Sequence, residues 1–503
     1  MVATGLKVVR WALVVGLLGA GPGLTFGGEP AAELEKLLET RSVSEWTEMA
    51  VDSTRDVGAH LDVAVVNGMG VPYVSYYDAA EMDLWFARYV ESGGNCGGGR
   101  WQCQLVEQGG DVGRYNSISV TSAPGGIGVA IAYYYHDDLL NQAGLKVAEG
   151  VCTGTCTFTT HVLEQSNPTI FTWRGLHTSI THDLNGHRHI SYQVARAFGN
   201  EELRYAFFVG PDSTPAGNCG QAPYYNQWYC MTIVSGEGVG EHSSVVTDFS
   251  VAPMAPISSL GGRRPSVAYY DSSLGEPWLA TMVGAGGSGN CGPSNSWFCT
   301  SASIDLHDAG RSVSVMVEPY GAPHMAFLDA TTADLVYASY VGYGGDCGCS
   351  ILWMDCLWRC RVIENVGQVG AGRTVALAAD QDGQPMIAYR DASGDPGPPV
   401  LRFAQPRAAA PAGAVPNCGP LSGGPIPLPT WVCTTLDAGG AYAHEGAAVA
   451  IDSHLGGTAI AYHELDTYTF PEEGALKVLL QLTPYFADGF ESGDTGAWSA
   501  TFP

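Results

Sequence analysis

From about residue 46 onward the chain alternates short apolar runs with turn residues, and the runs come in fours. The first set is Asp62-Val-Ala-Val-Val66, a glycine turn, and Val71-Pro-Tyr-Val-Ser-Tyr-Tyr-Asp78. It continues with Leu84-Trp-Phe-Ala-Arg-Tyr89 and, after a Gly-rich loop, Trp101-Gln-Cys-Gln-Leu-Val106. Alternation bounded by Gly, Asn and Asp predicts β-strands joined by tight turns. The set recurs at a period of roughly 60 residues, which points to a repeat architecture.

The second strand of the set occurs seven times: Val74-Ser-Tyr76, Ile131-Ala-Tyr133, Ile190-Ser-Tyr192, Val267-Ala-Tyr269, Met325-Ala-Phe327, Ile387-Ala-Tyr389 and Ile460-Ala-Tyr462. One face carries an aliphatic and an aromatic residue, and the other carries Ser or Ala. A small residue opposite a large one lets neighbouring sheets interdigitate face to face. Seven units of four strands predict an all-β fold, a seven-bladed β-propeller.

The fourth strand predicts how the ring closes. Trp-x-Cys recurs at Trp101/Cys103, Trp228/Cys230, Trp297/Cys299, Trp358/Cys360 and Trp431/Cys433. The seventh unit ends near Leu482 without such a strand, whereas Trp46-Thr-Glu-Met-Ala-Val51 matches the pattern and precedes the first unit. The N-terminal strand is therefore expected to close the last blade by pairing with Ala475–Leu480, leaving only short, protected edges. Asn/Asp-Cys-Gly precedes each Trp-x-Cys, so the register pairs Cys96–Cys103, Cys219–Cys230, Cys291–Cys299, Cys347–Cys360 and Cys418–Cys433 within blades. Cys152–Cys156 and Cys349–Cys356 take the remaining four cysteines.

Composition adds compartment and excludes partners. Lys7 and Arg10 precede the apolar run Trp11–Leu18 and small residues through Gly28, the pattern of an export signal. Export implies an oxidising compartment in which the 14 cysteines pair. No later run is long enough to span a bilayer as a helix. A formal net charge of −27 repels nucleic acid and anionic membranes, so no nucleic-acid partner is expected. The expected division is a signal peptide at 1–28, a short helical segment at 29–45 through Leu34, Leu37 and Leu38, the propeller at 46–483 and a tail at 484–503. The Ala/Pro/Gly-rich run Arg407–Pro429 reads as an irregular loop inserted in blade six. A secreted or cell-surface monomer is expected.

Units such as Pro72-Tyr-Val-Ser-Tyr-Tyr-Asp78 followed by Asp83-Leu-Trp-Phe-Ala87 resemble repeats of exported bacterial sialidase-like propellers of unassigned function. The tail, Phe490-Glu-Ser-Gly-Asp494 followed by Trp498, resembles an ending seen on varied exported proteins of Gram-negative bacteria. The first resemblance implies the scaffold and the second implies sorting or surface display. The chain has no Ser-x-Asp-x-Gly-x-x-Trp box and no sialidase arginine motif.

Two rings of candidate residues follow from aligning the units. His60, Tyr115, His177 and His242 fall at one position at the start of the first strands of blades one to four. Gly310, Gly372 and Gly446 fill it in blades five to seven, with Arg311 and Arg373 one residue later. Such a rim could recognise a sugar or acidic group. It could also run proton abstraction, with His and Tyr as base and acid and Arg on a substrate carboxylate. Three imidazoles could instead bind a transition metal, and the side chains could simply cap the strand starts. The second ring is Asp78, Asp271, Asp329, Asp391 and Glu464, each just after the aromatic of its second strand, with Tyr135 then Asp137 and Asp138 in blade two and Val194 in blade three. Paired carboxylates suit glycoside hydrolysis or Ca2+, but Asp also closes turns onto its own backbone, which is the expectation here. Asp183-Leu-Asn-Gly186 and Asp380-Gln-Asp-Gly383 likewise read as hairpin turns, and no cofactor is expected. The leading functional expectation is an exported binding or surface-interaction propeller that recognises carbohydrate or protein on its axial face. The alternatives are a carbohydrate-active enzyme, a polysaccharide lyase or glycoside hydrolase working from the rim, and a structural envelope protein.

Overall fold

The alternating segments form seven antiparallel sheets in a computed structural model. It describes residues 46–482 except 67–68, 167–171, 184, 198, 212–215, 222–225, 248–263, 285–286, 305, 319–320, 350–354, 368–372, 394–399, 412, 423–427, 438–448, 455–456 and 467–472. The signal peptide expected at 1–28, the helical segment expected at 29–45 and the tail at 484–503 lie outside the described residues. Blade one comprises Val57–Val65, Pro72–Asp78, Asp83–Tyr89 and Trp101–Glu107, in that order from axis to periphery. The inner strands of the others are Asp111–Ala123, Thr172–His182, Val239–Thr247, Ala309–Val317, Val375–Ala379 and Val449–His454.

The ring closes as the Trp46 pattern requires. Thr47 lies opposite Leu480, Glu48 opposite Leu479 and Met49 opposite Val478, so the N-terminal strand is the outer strand of blade seven. Side-chain chemistry repeats across this seam. A carboxylate at or next to the end of four outer strands accepts from the second-strand tyrosine of the next blade. Glu107 accepts from Tyr133, Glu364 from Tyr389, and Asp437 from Tyr462 at 2.9 Å. Asp52 does the same for Tyr76 at 3.3 Å, so the closing strand enters the same clamp as the others.

Seven disulfides join the pairs read from the repeat. The residue before each first cysteine explains the motif. Asn95 accepts from the Cys103 N–H at 2.7 Å and donates to its carbonyl at 2.9 Å, acting as one extra strand residue. Asn218, Asn290 and Asn417 repeat both bonds with Cys230, Cys299 and Cys433. The following glycine is demanded twice over: Gly97 and Gly419 have φ of 54° and 78°, and a Cβ would lie 2.6 and 2.5 Å from the indoles of Trp101 and Trp431. The 407–429 run is not wholly irregular, because Cys418–Leu421 adds a fifth strand against Pro429–Asp437; Cys347–Cys349 does the same in blade five. The disulfide pulls each segment into the sheet, together with the residue before its first cysteine, Asn417 in blade six and Asp346 in blade five, which accepts from the facing cysteine N–H.

Neighbouring blades are locked at the axis by a ladder that the hydrophobic pattern does not reveal. Counting from the glycine that opens each inner strand, the fourth residue onward is Asp62, Ser117, Ser179, Ser244 and Ser314 in blades one to five. Each side chain accepts from the next blade's inner strand: from Ile118 N at 3.0 Å, Ile180 N at 3.1 Å, Val245 N at 3.0 Å, Val315 N at 3.3 Å and Leu377 N at 3.0 Å. Blades six and seven carry Ala376 and Ala450 there. The joint from seven to one is made instead by Asp452, which accepts from Val65 N at 2.7 Å. Within the ring the inner strands enclose an axial channel of 540 Å3.

Ser179→Ala should lower the free energy of unfolding by about 1 kcal/mol, because it strands the Val245 N–H. Ala376→Ser should supply the missing rung toward Ile451 and stabilise by about 0.5–1 kcal/mol. Urea unfolding midpoints of the oxidised protein check both signs.

Candidate functional site

The inner strands of blades one to five start with a β-bulge, visible as register shifts at Val57/Leu61, Arg114/Ser117, Leu176/Ser179, Glu241/Ser244 and Arg311/Ser314. The opening glycine takes positive φ at Gly58, Gly113, Gly175, Gly240 and Gly310. The second residue after it is also left-handed at Tyr115, His177, His242 and Ser312, with φ of 52°, 49°, 52° and 57°. A left-handed conformation is costly for a residue with a Cβ, and such outliers cluster at functional sites. The bulge turns these side chains toward the axis.

This geometry corrects the alignment in blades five and six. Gly310 is equivalent to Gly58, Gly113, Gly175 and Gly240, and Ser312 is the residue that shares the histidine position. Thr374 takes it in blade six, since Ala376 faces Ala388 as Ser314 faces Ala326. Gly372 and Gly446 lie outside the described residues.

Four of the six rim candidates form one continuous arc. Ring centroids are 4.8 Å apart for His60–Tyr115, 4.8 Å for Tyr115–His177 and 4.9 Å for His177–His242. Tyr77, Tyr134 and Tyr270 back the arc at 5.9, 6.4 and 6.4 Å from His60, Tyr115 and His242. Among the described residues the rim side chains make no hydrogen bond to a strand start. Their backbone carbonyls are bound by the following blade instead: His60 O accepts from Asn116 Nδ2 at 3.0 Å, Tyr115 O from Thr178, and His177 O from Ser243 at 2.6 Å. The side chains are thus free to face one another.

The two arginines part company. Arg311 is exposed and held by Asp308 at 2.7 Å, with Tyr270 donating to the same Asp308. The trio Arg114, Asp111 and Tyr77 repeats this arrangement at the arc's other end, beside His60 and Tyr115, with Arg114 at 2.9 Å from Asp111. Arg311 therefore belongs to the rim's own scaffolding. Arg373 instead lines the channel, 3.9 Å from Asp62. Asp62 is a carboxylate of the channel wall two residues beyond His60, and burial raises its pKa even with Arg373 beside it.

Burial also keeps the imidazoles neutral. It pushes His60 and His242 down to about 4, helped by Arg114 for the first and by Arg373 and Arg311 for the second. His177 is lowered well below its ordinary value by burial and by His242, His60 and Arg373. The three imidazoles are not gathered around one point, because Tyr115 separates His60 from His177. Among the described residues the only close set of metal-type ligand atoms is Glu364 with Cys418 and Cys433, whose sulfurs are bonded to each other. The metal reading of the rim thus finds no geometry to rest on.

The second ring is turn chemistry. Asp78 Oδ1 accepts from Ala80 N at 3.0 Å and Glu81 N at 3.2 Å, and Asp271 Oδ1 from Ser273 N and Leu274 N at 3.1 Å. Asp329 accepts from Thr331 N at 2.9 Å and Asp391 from Ser393 N at 2.8 Å, while Glu464 pairs with Lys477 at 2.8 Å. In the hairpins, Asp183 and Asp380 accept from His187 N and Gln384 N at 2.9 and 2.7 Å. One oxygen of each of these aspartates is engaged by backbone donors, as Asx turns require.

A histidine whose folded pKa is depressed favours the native state above its unfolded value of about 6.5 and loses that contribution as pH falls toward the folded value. Stability should therefore decline between about pH 6.5 and pH 4 as the unfolded chain takes up protons that His60 and His242 refuse. Two-dimensional NMR of the imidazole resonances should show midpoints near 4 for both, and His60→Gln should flatten the pH dependence of Tm.

No protein-family model matches the chain, and no curated protein matches it. Among solved structures it is similar to the Hadza microbial sialidase Hz136, at 10% identity over 84% of this chain and 65% of that one, with a TM-score of 0.38. It is also similar to a fucose-specific lectin from Aleuria aurantia, at 10% identity over 72% and 95%, with a TM-score of 0.36. A third is the Trypanosoma rangeli sialidase in complex with the inhibitor DANA, at 8% identity over 86% and 57%, with a TM-score of 0.37. The chain spans less than two thirds of the length of either sialidase. These distant likenesses carry no information about ligand or chemistry.

Proposed function

We propose that this is an exported binding propeller that recognises carbohydrate through the arc of rings at the mouth of its axial channel. The arc carries the reading because it breaks the symmetry of a scaffold whose other rings repeat for structural reasons. Blades one to four present His60, Tyr115, His177 and His242, and blades five and six present only Ser312 and Thr374. Seven positions spaced as the arc is would lie about 5.6 Å from the axis, leaving an opening on the scale of one sugar ring. One wall of that opening is aromatic and uncharged, and the other is small and bordered by Arg373. An apolar concave wall with a few fixed polar groups is the usual make-up of a small-ligand site. Neutral imidazoles and the Tyr115 hydroxyl can both donate to and accept from sugar hydroxyls. The seven disulfides suit the oxidising compartment that the signal-like N-terminus implies.

A lyase-type use of the same groups is less well supported. Arg311 is spent on Asp308 and Tyr270, so the rim offers Arg373 alone for a substrate carboxylate, and that guanidinium already faces Asp62.

A glycan array followed by calorimetry on the purified chain tests the proposal. Tyr115→Ala and His177→Ala should each weaken the best ligand at least about tenfold, or about 1.4 kcal/mol, with Tm little changed. Gln381→Ala, on a hairpin at the other end of the channel, should leave affinity unaltered. Binding that survives both rim substitutions would overturn the assignment.

A further inference from the structure

The open side of the arc conceals a group of polar atoms without partners. Arg390 follows the second-strand tyrosine of blade six and is 3% exposed. Its equivalents in blades one, two and four are Tyr77, Tyr134 and Tyr270, which reach rim residues. One guanidinium nitrogen, Nη2, donates to the His463 carbonyl of blade seven, while Nε and Nη1 have no partner among the described residues. His463, 4% exposed, has neither Nδ1 nor Nε2 partnered among them, and its ring packs beneath Gly58. Thr374, whose carbonyl accepts from Arg390 N at 3.0 Å, is 1% exposed with Oγ1 likewise unpartnered.

Leaving one buried donor unmet costs about 1–3 kcal/mol, and an uncompensated buried charge costs more. Elsewhere in this protein a partly buried arginine meets a carboxylate: Arg204 with Glu164 at 2.8 Å, Arg402 with Asp391 at 2.9 Å, Arg174 with Glu164 at 3.0 Å. Arg390 meets none among the described residues. The carboxylate whose field reaches it, Asp437, accepts the Tyr462 hydroxyl. The unmet atoms on this face of blade six are donors: the guanidinium N–H groups and the threonine hydroxyl. A donor-rich, positively charged and buried set calls for an acceptor that carries negative charge and little bulk.

We infer that a small monovalent anion of halide size binds between blades six and seven, held by the Arg390 guanidinium and by Thr374, which lies opposite Arg390 in the sheet, while the His463 ring packs on the blade-one side. It neutralises the guanidinium where the smaller rim residues leave no ring to cover it. The site is independent of any sugar bound at the arc, and it tethers the last two blades beside the seam that Asp452 closes.

The purified full chain is melted in sodium chloride or bromide against sodium isethionate at matched ionic strength. Halide should raise Tm saturably by about 2–4 °C, and Arg390→Leu should abolish the response. Because that variant can fail to fold, crystals soaked in bromide give a second readout, an anomalous peak in contact with the Arg390 guanidinium and Thr374 Oγ1. A formate arm tells a bound halide from a bound carboxylate, since formate that displaces the bromide peak still supports a monoanion site. Halide-independent melting without an anomalous peak, or density for water alone, would overturn the inference.

Discussion

The inner strand of a propeller blade has a neighbour on one side only. Its other edge faces the channel with N–H groups that no sheet can satisfy, and seven such edges meet around one axis. Here Asp62, Ser117, Ser179, Ser244 and Ser314 answer that need by accepting from the next blade's strand. Each such bond fixes the stagger between two blades. Because the rim residue sits two positions earlier on the same strand, the ladder also fixes the spacing of the rings. The near-equal separations of 4.8, 4.8 and 4.9 Å along the arc are the ladder's period read one layer higher.

Around that constraint the repeat separates into roles. Positions that recur in most blades do structural work: the tyrosine–carboxylate clamp, the turn-closing aspartates and the Asn-Cys-Gly staple. Positions that change from blade to blade cluster at one end of the channel. The rim is built from bulges whose left-handed residues hold bulky side chains at Tyr115, His177 and His242, where glycine would fit more easily. Retaining such strain in three consecutive blades, while Ser312 and Thr374 occupy the same place in the next two, gives the channel mouth a direction.

The architecture was legible because its signals are periodic and chemically distinctive. The small–large alternation of the second strand, the paired cysteines and the stray Trp46 strand all announced themselves through repetition, and the seam fell where they placed it. The inner-strand ladder was hidden because a serine in an alternating strand looks like any solvent-facing residue. The rim was half legible. His60, Tyr115, His177 and His242 were aligned by type, but the bulge shifted Gly310 two residues away from them. No sequence rule distinguishes Arg373, which borders the channel, from Arg311, which is bound to Asp308. That difference depends on an aspartate two residues before one opening glycine, a local feature visible only once the turn is built.

The seam has a consequence for how the molecule can mature. Every disulfide joins cysteines that are near neighbours in sequence, with separations from 4 to 15 residues. Each staple can therefore oxidise as soon as its own blade has formed. The seam joins the first and last described strands, so the wheel stays open until translation is complete, and closing so long a loop is slow. During that interval the partner strand Glu473–Leu482 and the early strand Thr47–Asp52 are both exposed edges. A chaperone or folding helper that protects unpaired strands would meet its greatest demand at this late moment, after oxidation is already finished.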